Sequence, residues 1–370
     1  MKILEAFGEP ISNGGQEAFV MNVIENIDKT NISIDLLTPY YCNNEYYKQK
    51  VEKYGGEVFS FNKKFKPGKS RFNIVSDLNK FFKNHKYDVV HVHSGSISIF
   101  GIFAYLAKKN GVKKVIVHAH SSIERKTLKN KILKNVCNLF LQNNTDIYCA
   151  CSKLAGQSKF VDNVVNNKLV IVKNGIDISK FRFNEIIRKN LRTKLRIDEK
   201  FVIGHVGRFC YEKNHSFIID IFYEILKIKK DAILLLIGSG NLEKQIKNKV
   251  IKLCIADKII FIGNVNDVYN YYQAMDCFVF PSHFEGLGIV AIEAQAAGLS
   301  CYLSDVIPSE VKITDLVNFI SLKEEPKYWA NKIVNDANNY DRKDMSNVIR
   351  KAGYDMKMEV RKMIKIYSIY

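Results

Sequence analysis

Short apolar runs alternate with amphipathic stretches along most of the chain, and this alternation predicts its fold. The runs have the length of buried strands, whereas the longer stretches repeat apolar residues at helical spacing. In the first half the predicted strands are Lys2–Phe7, Ser33–Leu37, Val58–Phe61, Val89–Val92, Lys114–His118, Asp146–Cys151 and Lys168–Val172. In the second half they are Phe201–Val206, Ala232–Ile237, Ile259–Ile262, Cys277–Phe280 and Cys301–Leu303. Strands that alternate with helices are typical of parallel, doubly wound α/β sheets.

The stretches between the strands include helical patterns at Gln16–Ile27, Ile97–Lys109, Ser216–Lys227 and Leu242–Cys254. A chain of 370 residues is long for one core and suits two domains of ordinary size. The alternation breaks in the charged segment between Ser179 and Lys200, which we predict to be irregular. We therefore predict two Rossmann-like halves, one on each side of this break, with a cleft between them.

The formal net charge is +18, and most of it lies in the first half, where residues 1–180 hold 27 Lys and Arg against 15 Asp and Glu. Nucleic acid, anionic lipid and phosphorylated substrates are therefore candidate partners. No run is long and apolar enough to span a bilayer, and the N-terminal residues predict a strand rather than a signal peptide. The eight cysteines show no paired framework, so we expect reduced thiols in a cytosolic protein.

The segment that follows strand Cys277–Phe280 carries the most informative chemistry. A polar turn holds Glu285, and a predicted helix, Ile289–Ala297, carries Glu293. Open α/β sheets bind ligands at the carboxyl ends of their strands, and a helix N-terminus favours an anion such as phosphate. Carboxylates beside such an end accept hydrogen bonds from hydroxyls, so a nucleotide sugar fits this segment. The alternative is a surface helix with two solvated acids.

Two cations, Arg208 after Gly207 and then Lys213, follow the first strand of the second half. Cations at this spacing in a strand-end loop can converge on a diphosphate, although a pair of solvated loop cations is the alternative. Gly238 and Gly240 follow the next strand, but the third glycine and the acidic residue of a dinucleotide fingerprint are missing. NAD binding is therefore a weak hypothesis.

Glycines and histidines mark strand ends in the first half. Gly14 and Gly15 precede a helix and allow backbone N–H groups to approach a ligand closely, with an ordinary turn as the alternative. His118 and His120 end another strand, where a histidine can donate a hydrogen bond to a sugar hydroxyl or shuttle a proton. We expect only one of these two histidines to face a cleft.

A second histidine pair, His91 and His93, ends the preceding strand. Four histidines suggest zinc. However, they come from different strand ends, and no nearby Cys or carboxylate completes a ligand set, so we expect no metal site.

The run 124–141 predicts a basic amphipathic helix. Its apolar face consists of Leu128, Ile132, Val136 and Phe140, and its cations are Arg125, Lys126, Lys129, Lys131 and Lys134. Such a helix can lie on an anionic membrane, and the alternative is that its apolar face packs on the sheet. A second basic loop around Pro67 and Gly68 contains Lys63, Lys64, Lys66, Lys69 and Arg71.

These pieces occur in the order found in the family 4 retaining glycosyltransferases, which the chain resembles over nearly its whole length. The shared motifs are Gly14-Gly15, His120, Asn174-Gly175-Ile176-Asp177 with Phe181, Gly207-Arg208 with Lys213, Gly238-x-Gly240, Phe261-x-Gly263, and Asp276 before Pro281-Ser282. The most specific motif is the last, in which seven residues separate Glu285 from Glu293, with Ala294 and Gly298 after it. The run from Glu293 to Leu299 is similar to that of capsule and exopolysaccharide members of the family.

The resemblance implies the GT-B fold, in which two Rossmann-like, doubly wound α/β domains face each other across a cleft. It implies an acceptor-binding domain over residues 1–180 and a donor-binding domain over residues 181–352. A C-terminal helix, about 353–370, is expected to pack back on the first domain.

The resemblance also implies roles for the matching residues. Arg208 and Lys213 would bind the donor diphosphate, Glu293 the ribose, and Glu285 the donor sugar, with His120 beside the reacting sugar. The implied catalytic residues are His120, Arg208, Lys213 and Glu285. The implied substrate-binding residues are Gly14, Gly15, His118 (the alternative to His120), Gly207, Gly238, Gly240, His283, Phe284, Gly286, Leu287, Gly288, Ile289 and Glu293.

The implied reaction is retaining transfer of a hexose or N-acetylhexosamine from a nucleoside-diphosphate sugar, expected to be a UDP-sugar. The expected acceptor is a lipid-linked saccharide or polysaccharide in capsule, exopolysaccharide or lipopolysaccharide synthesis. No Asp-x-Asp metal clamp is visible, so no metal or other cofactor is expected. The basic first half is expected to hold the protein peripherally on the anionic inner face of the membrane, in the cytoplasm.

Two other functions stay open. A nucleotide-sugar 2-epimerase of the same fold would turn over its substrate without an acceptor. A nucleic-acid binder is suggested by charge alone. Because no helix-turn-helix, zinc or aromatic-stacking signature supports it, we expect no nucleic-acid partner.

Overall fold

The structure is a computed structural model that describes the whole chain except residues 13, 28–29, 67–70, 121–127, 338–341 and 369–370, and except the side chains of residues 128–131. The described residues form two compact units. One consists of Met1–Gly175 with Met356–Tyr370, and the other of Ile176–Asp355.

The first unit is built on a parallel seven-stranded sheet in the order β3-β2-β1-β4-β5-β6-β7. Its strands are β1 (Lys2–Phe7), β2 (Ser33–Thr38), β3 (Val58–Ser60), β4 (Val89–Ser94), β5 (Lys114–Ala119), β6 (Ile147–Ala150) and β7 (Leu169–Ile171). Its helices include α1 (Gly15–Asn26), α2 (Glu45–Lys53), α3 (Val75–Asn84), α4 (Ile97–Lys109), α5 (Leu128–Asn144), α6 (Lys153–Lys159) and α7 (Asp162–Asn167). The buried apolar residues form two large clusters, because a parallel sheet is covered by helices on both faces.

The second unit is built on a parallel six-stranded sheet in the order β10-β9-β8-β11-β12-β13. Its strands are β8 (Val202–Val206), β9 (Ile233–Ile237), β10 (Ile259–Gly263), β11 (Cys277–Phe280), β12 (Ser300–Ser304) and β13 (Val317–Ile320). Its helices include α8 (Ile178–Phe181), α9 (Glu185–Leu195), α10 (His215–Ile228), α11 (Glu243–Lys252), α12 (Val268–Ala274), α13 (Ile289–Ala296), α14 (Pro326–Ala337) and α15 (Ser346–Lys351).

The last helix, α16 (Met356–Ser368), belongs to the first unit. It lies against α1, and its side chains Val360, Met363 and Tyr367 are buried in one of the apolar clusters of that unit. The chain therefore leaves the first unit after Gly175 and returns to it at Met356.

The prediction of two doubly wound α/β halves is confirmed, and the predicted strands agree with the observed ones to within one or two residues at each end. The strand β13 at the edge of the second sheet was not predicted, because Asn318 interrupts its short apolar run.

The prediction of an irregular segment between Ser179 and Lys200 is wrong, because α9 occupies most of it. The side chain of Asn184 caps this helix by accepting a hydrogen bond from the N–H of Ile187. The guanidinium groups of Arg188 and Arg192 bind Asp276 at 2.5 and 3.2 Å. Charged residues in this segment therefore attach a helix to the start of β11 rather than mark a linker.

Candidate active site

Two loops lie side by side at the carboxyl ends of β8 and β11, because these strands are neighbours in the sheet. The side chain of Asn214 donates to the carbonyl of Pro281 at 3.1 Å. The N–H of His283 donates to the carbonyl of Glu212 at 2.8 Å, and its ring stacks on Tyr211 with the centroids 4.7 Å apart. These bonds hold the predicted diphosphate-binding loop against the predicted sugar-binding loop.

Lys213 and Glu285, predicted to contact different parts of a donor, form an ion pair. Nζ of Lys213 lies 2.6 Å from Oε1 of Glu285 and 4.7 Å from the ring centroid of Phe280. The side chains are 19% and 10% exposed, so each charge compensates the other in a partly desolvated place. Arg208, at the start of the same loop, is exposed to solvent.

Glu293 lies on α13, which begins after Gly288 in the left-handed region at φ 85° and has no side-chain cap. Its Oε2 atom accepts a hydrogen bond from the hydroxyl of Tyr272 at 2.8 Å. Burial raises the pKa of Glu293 to about 7, and its bond to Tyr272 and the charge of Lys213 oppose this shift. The alternative of a surface helix with two solvated acids is therefore wrong. Sequence reasoning missed Tyr272, whose helix gave no chemical signal.

The glycines of the second unit fall into two groups. A Cβ atom on Gly238 would lie 2.2 Å from the carbonyl oxygen of Gly207, and one on Gly240 would lie 2.4 Å from that of Phe209. Contacts between neighbouring loops thus account for these glycines without a ligand. By contrast, a Cβ atom on Gly286 would meet no described residue within 4 Å, and neither would one on Gly15 in the first unit.

The remaining predicted residues of the sugar-binding loop surround Glu285. Phe284 is 41% exposed, whereas Leu287 is buried in the apolar cluster against which Ile289 packs. The structure thus brings together Lys213, Glu285, His283 and Glu293 at one edge of the sheet. Leu287 supports the loop from within.

In the first unit the glycine loop precedes α1, for which Gly14 is the N-cap. The carboxylate of Glu17 accepts a hydrogen bond from the N–H of Ser12 at 3.1 Å and is buried. Burial raises the pKa of Glu17 to about 7. Sequence reasoning missed Glu17, although it lies two positions after Gly15.

The four histidines converge on a buried carboxylate. Glu5 of β1 lies 2.5 Å from Nε2 of His93, and His93 lies 2.8 Å from His120 through its other ring nitrogen. His118 is completely buried, whereas His120 is half-buried. The premise that no carboxylate lies near these histidines is therefore wrong.

Within the described residues, His91, His93 and His118 form one group whose ligand atoms lie within 4.8 Å of one another, close enough to hold a metal ion. Both nitrogens of His93 are already hydrogen-bonded. Metal-free action stays a prediction.

The predicted basic helix corresponds to α5. The apolar side chains Ile132, Val136 and Phe140 are 57%, 46% and 55% exposed, so the alternative that this face packs on the sheet is wrong. The side of α5 that packs on the unit carries Cys137 and Leu141. Arg125, Lys126 and the side chains of Leu128, Lys129 and Lys131 lie outside the described part of the helix.

The second basic loop is tied to its unit in the part that the structure describes. Lys63 pairs with Asp77 at 2.6 Å, and Arg71 donates to the hydroxyl of Tyr40 at 3.0 Å. Residues 67–70, which include Pro67, Gly68 and Lys69, lie outside the described residues. Among the helices that are described, none has both the length and the apolarity needed to cross a membrane.

Comparison with known proteins gives two family matches. Residues 13–180 match the model of Glycosyltransferase Family 4, and residues 187–354 match that of Glycosyl transferases group 1. The two matches together span most of the chain. The chain therefore belongs to the family 4 glycosyltransferases, and it is a glycosyltransferase enzyme.

Relatives agree with this assignment. The putative glycosyltransferase EpsF of Bacillus subtilis is 28% identical over 97% of this chain and 94% of its own length. A UDP-Gal:alpha-D-GlcNAc-diphosphoundecaprenol alpha-1,3-galactosyltransferase of Escherichia coli is 29% identical over 72% of this chain and 76% of its own length. The crystal structure of Alr3699/HepE from Anabaena, in complex with UDP and glucose, covers 100% of both chains at a TM-score of 0.75 and 16% identity. That likeness shows the GT-B fold.

Proposed function

We propose that this enzyme transfers a hexose or N-acetylhexosamine from a UDP-sugar to a lipid-linked saccharide or polysaccharide acceptor, with retention of anomeric configuration. The names of its relatives support this class of donor and acceptor, and capsule, exopolysaccharide or lipopolysaccharide synthesis is the proposed setting. The observation that carries the proposal is the arrangement of Lys213, Glu285 and Glu293 at one sheet edge.

The proposed diphosphate site uses Arg208 and Lys213. Arg208 is exposed at a strand end and offers a planar fork to phosphate oxygens. Lys213 is paired with Glu285 in a partly desolvated place, so a diphosphate must compete with that carboxylate. Once the phosphate takes Lys213, the carboxylate of Glu285 is free to accept hydrogen bonds from sugar hydroxyls. The ion pair thus couples binding of the two ends of the donor.

Glu293 is proposed to hold the ribose. A carboxylate accepts hydrogen bonds from two vicinal hydroxyls, and Tyr272 fixes the position of one of its oxygens. The pKa of Glu293 is about 7, so both its protonated and its ionised form are present near neutral pH. Hydroxyls that donate hydrogen bonds to the carboxylate favour the ionised form. Gly286 has open space beside it, which allows the backbone of the loop to approach the sugar or phosphate.

The proposed chemistry follows from where charge develops. The departing nucleoside diphosphate gains negative charge in the transition state, so preorganised cations lower the barrier more than they stabilise the bound substrate. Arg208 and Lys213 can supply this stabilisation without a metal. A same-face substitution, in which the leaving phosphate takes the proton of the acceptor hydroxyl, accounts for retention.

The first unit is proposed to bind the acceptor. We assign the approach to the donor phosphate to Gly15, beside which a Cβ atom would meet none of the described residues. We assign the contact with the reacting sugar to His120, because His118 is completely buried.

We further propose that α5 holds the enzyme on the anionic inner face of the membrane. Besides Ile132, Val136 and Phe140, its Leu133 and Leu139 are also exposed, at 42% and 64%. An exposed apolar helix face in the half of the chain that carries most of the positive charge suits a surface of anionic lipid.

Sedimentation with vesicles tests this membrane role. Binding to vesicles that contain phosphatidylglycerol should fall sharply when Ile132, Val136 and Phe140 all become Asn. The control changes two even more exposed apolar residues of the second unit, Ile186 and Ile251, to Asn and should bind as the wild type does. Equal loss in both variants, or in neither, would refute a role for α5.

A screen of nucleotide sugars, with and without EDTA, tests the proposed reaction. UDP-sugars should raise the melting temperature and be slowly hydrolysed, and EDTA should change neither result. Stabilisation only by GDP- or ADP-sugars would correct the donor. Conversion of a UDP-sugar to its epimer without acceptor would replace transfer with epimerisation.

A further inference from the structure

Three ionisable side chains of the first unit, Glu5, His93 and His120, form a series of hydrogen bonds. Glu5 is 1% exposed, and His93 is completely buried. Oε2 of Glu5 lies 2.5 Å from Nε2 of His93, and Nδ1 of His93 lies 2.8 Å from Nε2 of His120. Both nitrogens of the middle ring are therefore engaged.

The carboxylate of Glu5 determines which atom donates in each of these hydrogen bonds. Burial acts to raise the pKa of Glu5, but the charges and hydrogen bonds of His91 and His93 outweigh it and hold that pKa well below its usual range. The hydroxyl of Tyr367 also donates to Glu5, at 2.6 Å. Because a carboxylate only accepts, the proton between Glu5 and His93 belongs to Nε2 of the ring.

The proton on His93 in turn fixes the proton on His120. Burial lowers the pKa of His93 to about 4, so its ring carries a single proton at neutral pH, and its Nδ1 is an acceptor. Nε2 of His120 must then donate to it. Burial also lowers the pKa of His120 well below its usual value, so this ring is neutral too and its Nδ1 carries a lone pair. That nitrogen is buried and makes no hydrogen bond of normal geometry to a described residue, although the side chain of Asn174 lies close enough to the His120 ring to oppose this lowering of its pKa.

We propose that Glu5 and His93 are positioning residues that hold His120 as its Nε2–H tautomer, so that Nδ1 accepts a hydrogen bond from a substrate hydroxyl. The assignment of that hydroxyl to a sugar rests on the proposed function, whereas the tautomer does not. His120 then acts as an acceptor toward the substrate, which is the reverse of the donor role that a strand-end histidine suggested from sequence.

The tautomer can be read directly by nitrogen NMR of the full chain with ring-15N-labelled histidine. The signal of His120 is identified by its loss in His120→Gln. In the wild type we expect protonated Nε2 and unprotonated Nδ1. In Glu5→Gln the carboxamide can donate to His93, which moves the proton of that ring to Nδ1 and that of His120 from Nε2 to Nδ1.

A second buried carboxylate of the same sheet provides a matched control. Asp35 is 2% exposed and accepts a hydrogen bond from the hydroxyl of Tyr87 at 2.8 Å, but it does not bond a histidine. Asp35→Asn should leave the His120 signal and kcat unchanged. Glu5→Gln should lower kcat by about 10-fold, the loss expected for one hydrogen bond to the substrate, with little change in KM for the donor.

Two results would overturn the proposal: a wild-type His120 protonated on Nδ1, or a folded Glu5→Gln variant that keeps the Nε2–H tautomer. If Glu5→Gln does not fold, the wild-type spectrum alone decides. A wild type that shows the expected tautomer but turns over no nucleotide sugar would sink the proposed function and leave the tautomer assignment intact.

Discussion

The two units place ionisable side chains at the ends of their central strands but compensate the charges differently. In the first unit, Glu5 is enclosed and is satisfied by Tyr367 and two histidines. In the second unit, the carboxylate of Glu285 is compensated by a single flexible lysine, Lys213, and both remain partly exposed. The enclosed array is suited to hold one proton pattern, whereas the exposed pair is suited to exchange partners with an anionic ligand.

The largest expected effect comes from substitutions at the proposed nucleotide site of the second unit. Arg208→Ala should lower kcat for transfer by about 100- to 1,000-fold, because it removes a cation aimed at developing charge. Glu293→Ala should lower transfer to a similar degree. Both variants should keep the circular dichroism spectrum of the wild type, and full activity in either would contradict the site assignment.

In the first unit, removing a hydrogen-bond donor from Glu5 should lower the stability of the protein. Tyr367→Phe removes a donor from a buried carboxylate and should lower the free energy of unfolding by about 1.5–3 kcal/mol, the range for hydrogen bonds to charged groups. Urea denaturation measures this loss. The control is Tyr328→Phe on α14 of the second unit, where the side chain is 54% exposed and no change is expected.

A smaller effect, on the affinity for UDP, should show whether Lys213 exchanges Glu285 for the phosphate or keeps Glu285 as its partner. In Glu285→Gln the phosphate no longer competes with a carboxylate for Lys213, so UDP should bind about 1 kcal/mol more tightly, while transfer of the sugar falls. Calorimetry with UDP and a transfer assay measure the two effects. Weaker binding of UDP would show that the ion pair builds the site rather than competing with the ligand.

The smallest effect concerns pH and compares one acid from each unit. Burial raises the pKa of Glu293 and of Glu17 from 4.5 to about 7. The native state therefore binds more protons than the unfolded state between these values, so each acid lowers stability as pH rises through that range. Relative to Glu293→Gln or Glu17→Gln, the wild type should lose free energy of unfolding between about pH 5 and 8.

UDP should separate the two acids. If Glu293 receives ribose hydroxyls, saturating UDP should flatten the pH dependence of the difference between the wild type and Glu293→Gln. The difference between the wild type and Glu17→Gln should keep its slope. Flattening in both, or in neither, would remove Glu293 from the nucleotide site.

The fold could be predicted from the sequence because buried parallel strands are apolar runs that local patterns reveal. The same local patterns failed where polar residues have a structural task. From sequence Arg192 is expected to be a solvated charge, yet its side chain is 6% exposed and its guanidinium binds Asp276. The edge strand β13 was also missed, because the polar residue Asn318 interrupts its short apolar run.

The candidate site divides in a similar way. The sequence pointed to Lys213, Glu285 and Glu293 because these residues lie in the loop or helix that directly follows a predicted strand. Glu5 could not, since it lies within an apolar strand and meets His93 only through pairing of β1 with β4. Tyr272 was missed because its partner Glu293 lies 21 positions away on another helix.

Calorimetric titration of UDP in EDTA, with the wild type, Arg208→Ala and Lys247→Ala, measures whether the ends of β8 and β11 bind a nucleotide without metal. Lys247 is a control cation of the same unit, paired with Glu243 on the surface of α11. We expect saturable binding to the wild type and to Lys247→Ala, and its loss in Arg208→Ala. Equal binding to all three proteins, or none to the wild type, would contradict a nucleotide-sugar site at the ends of β8 and β11.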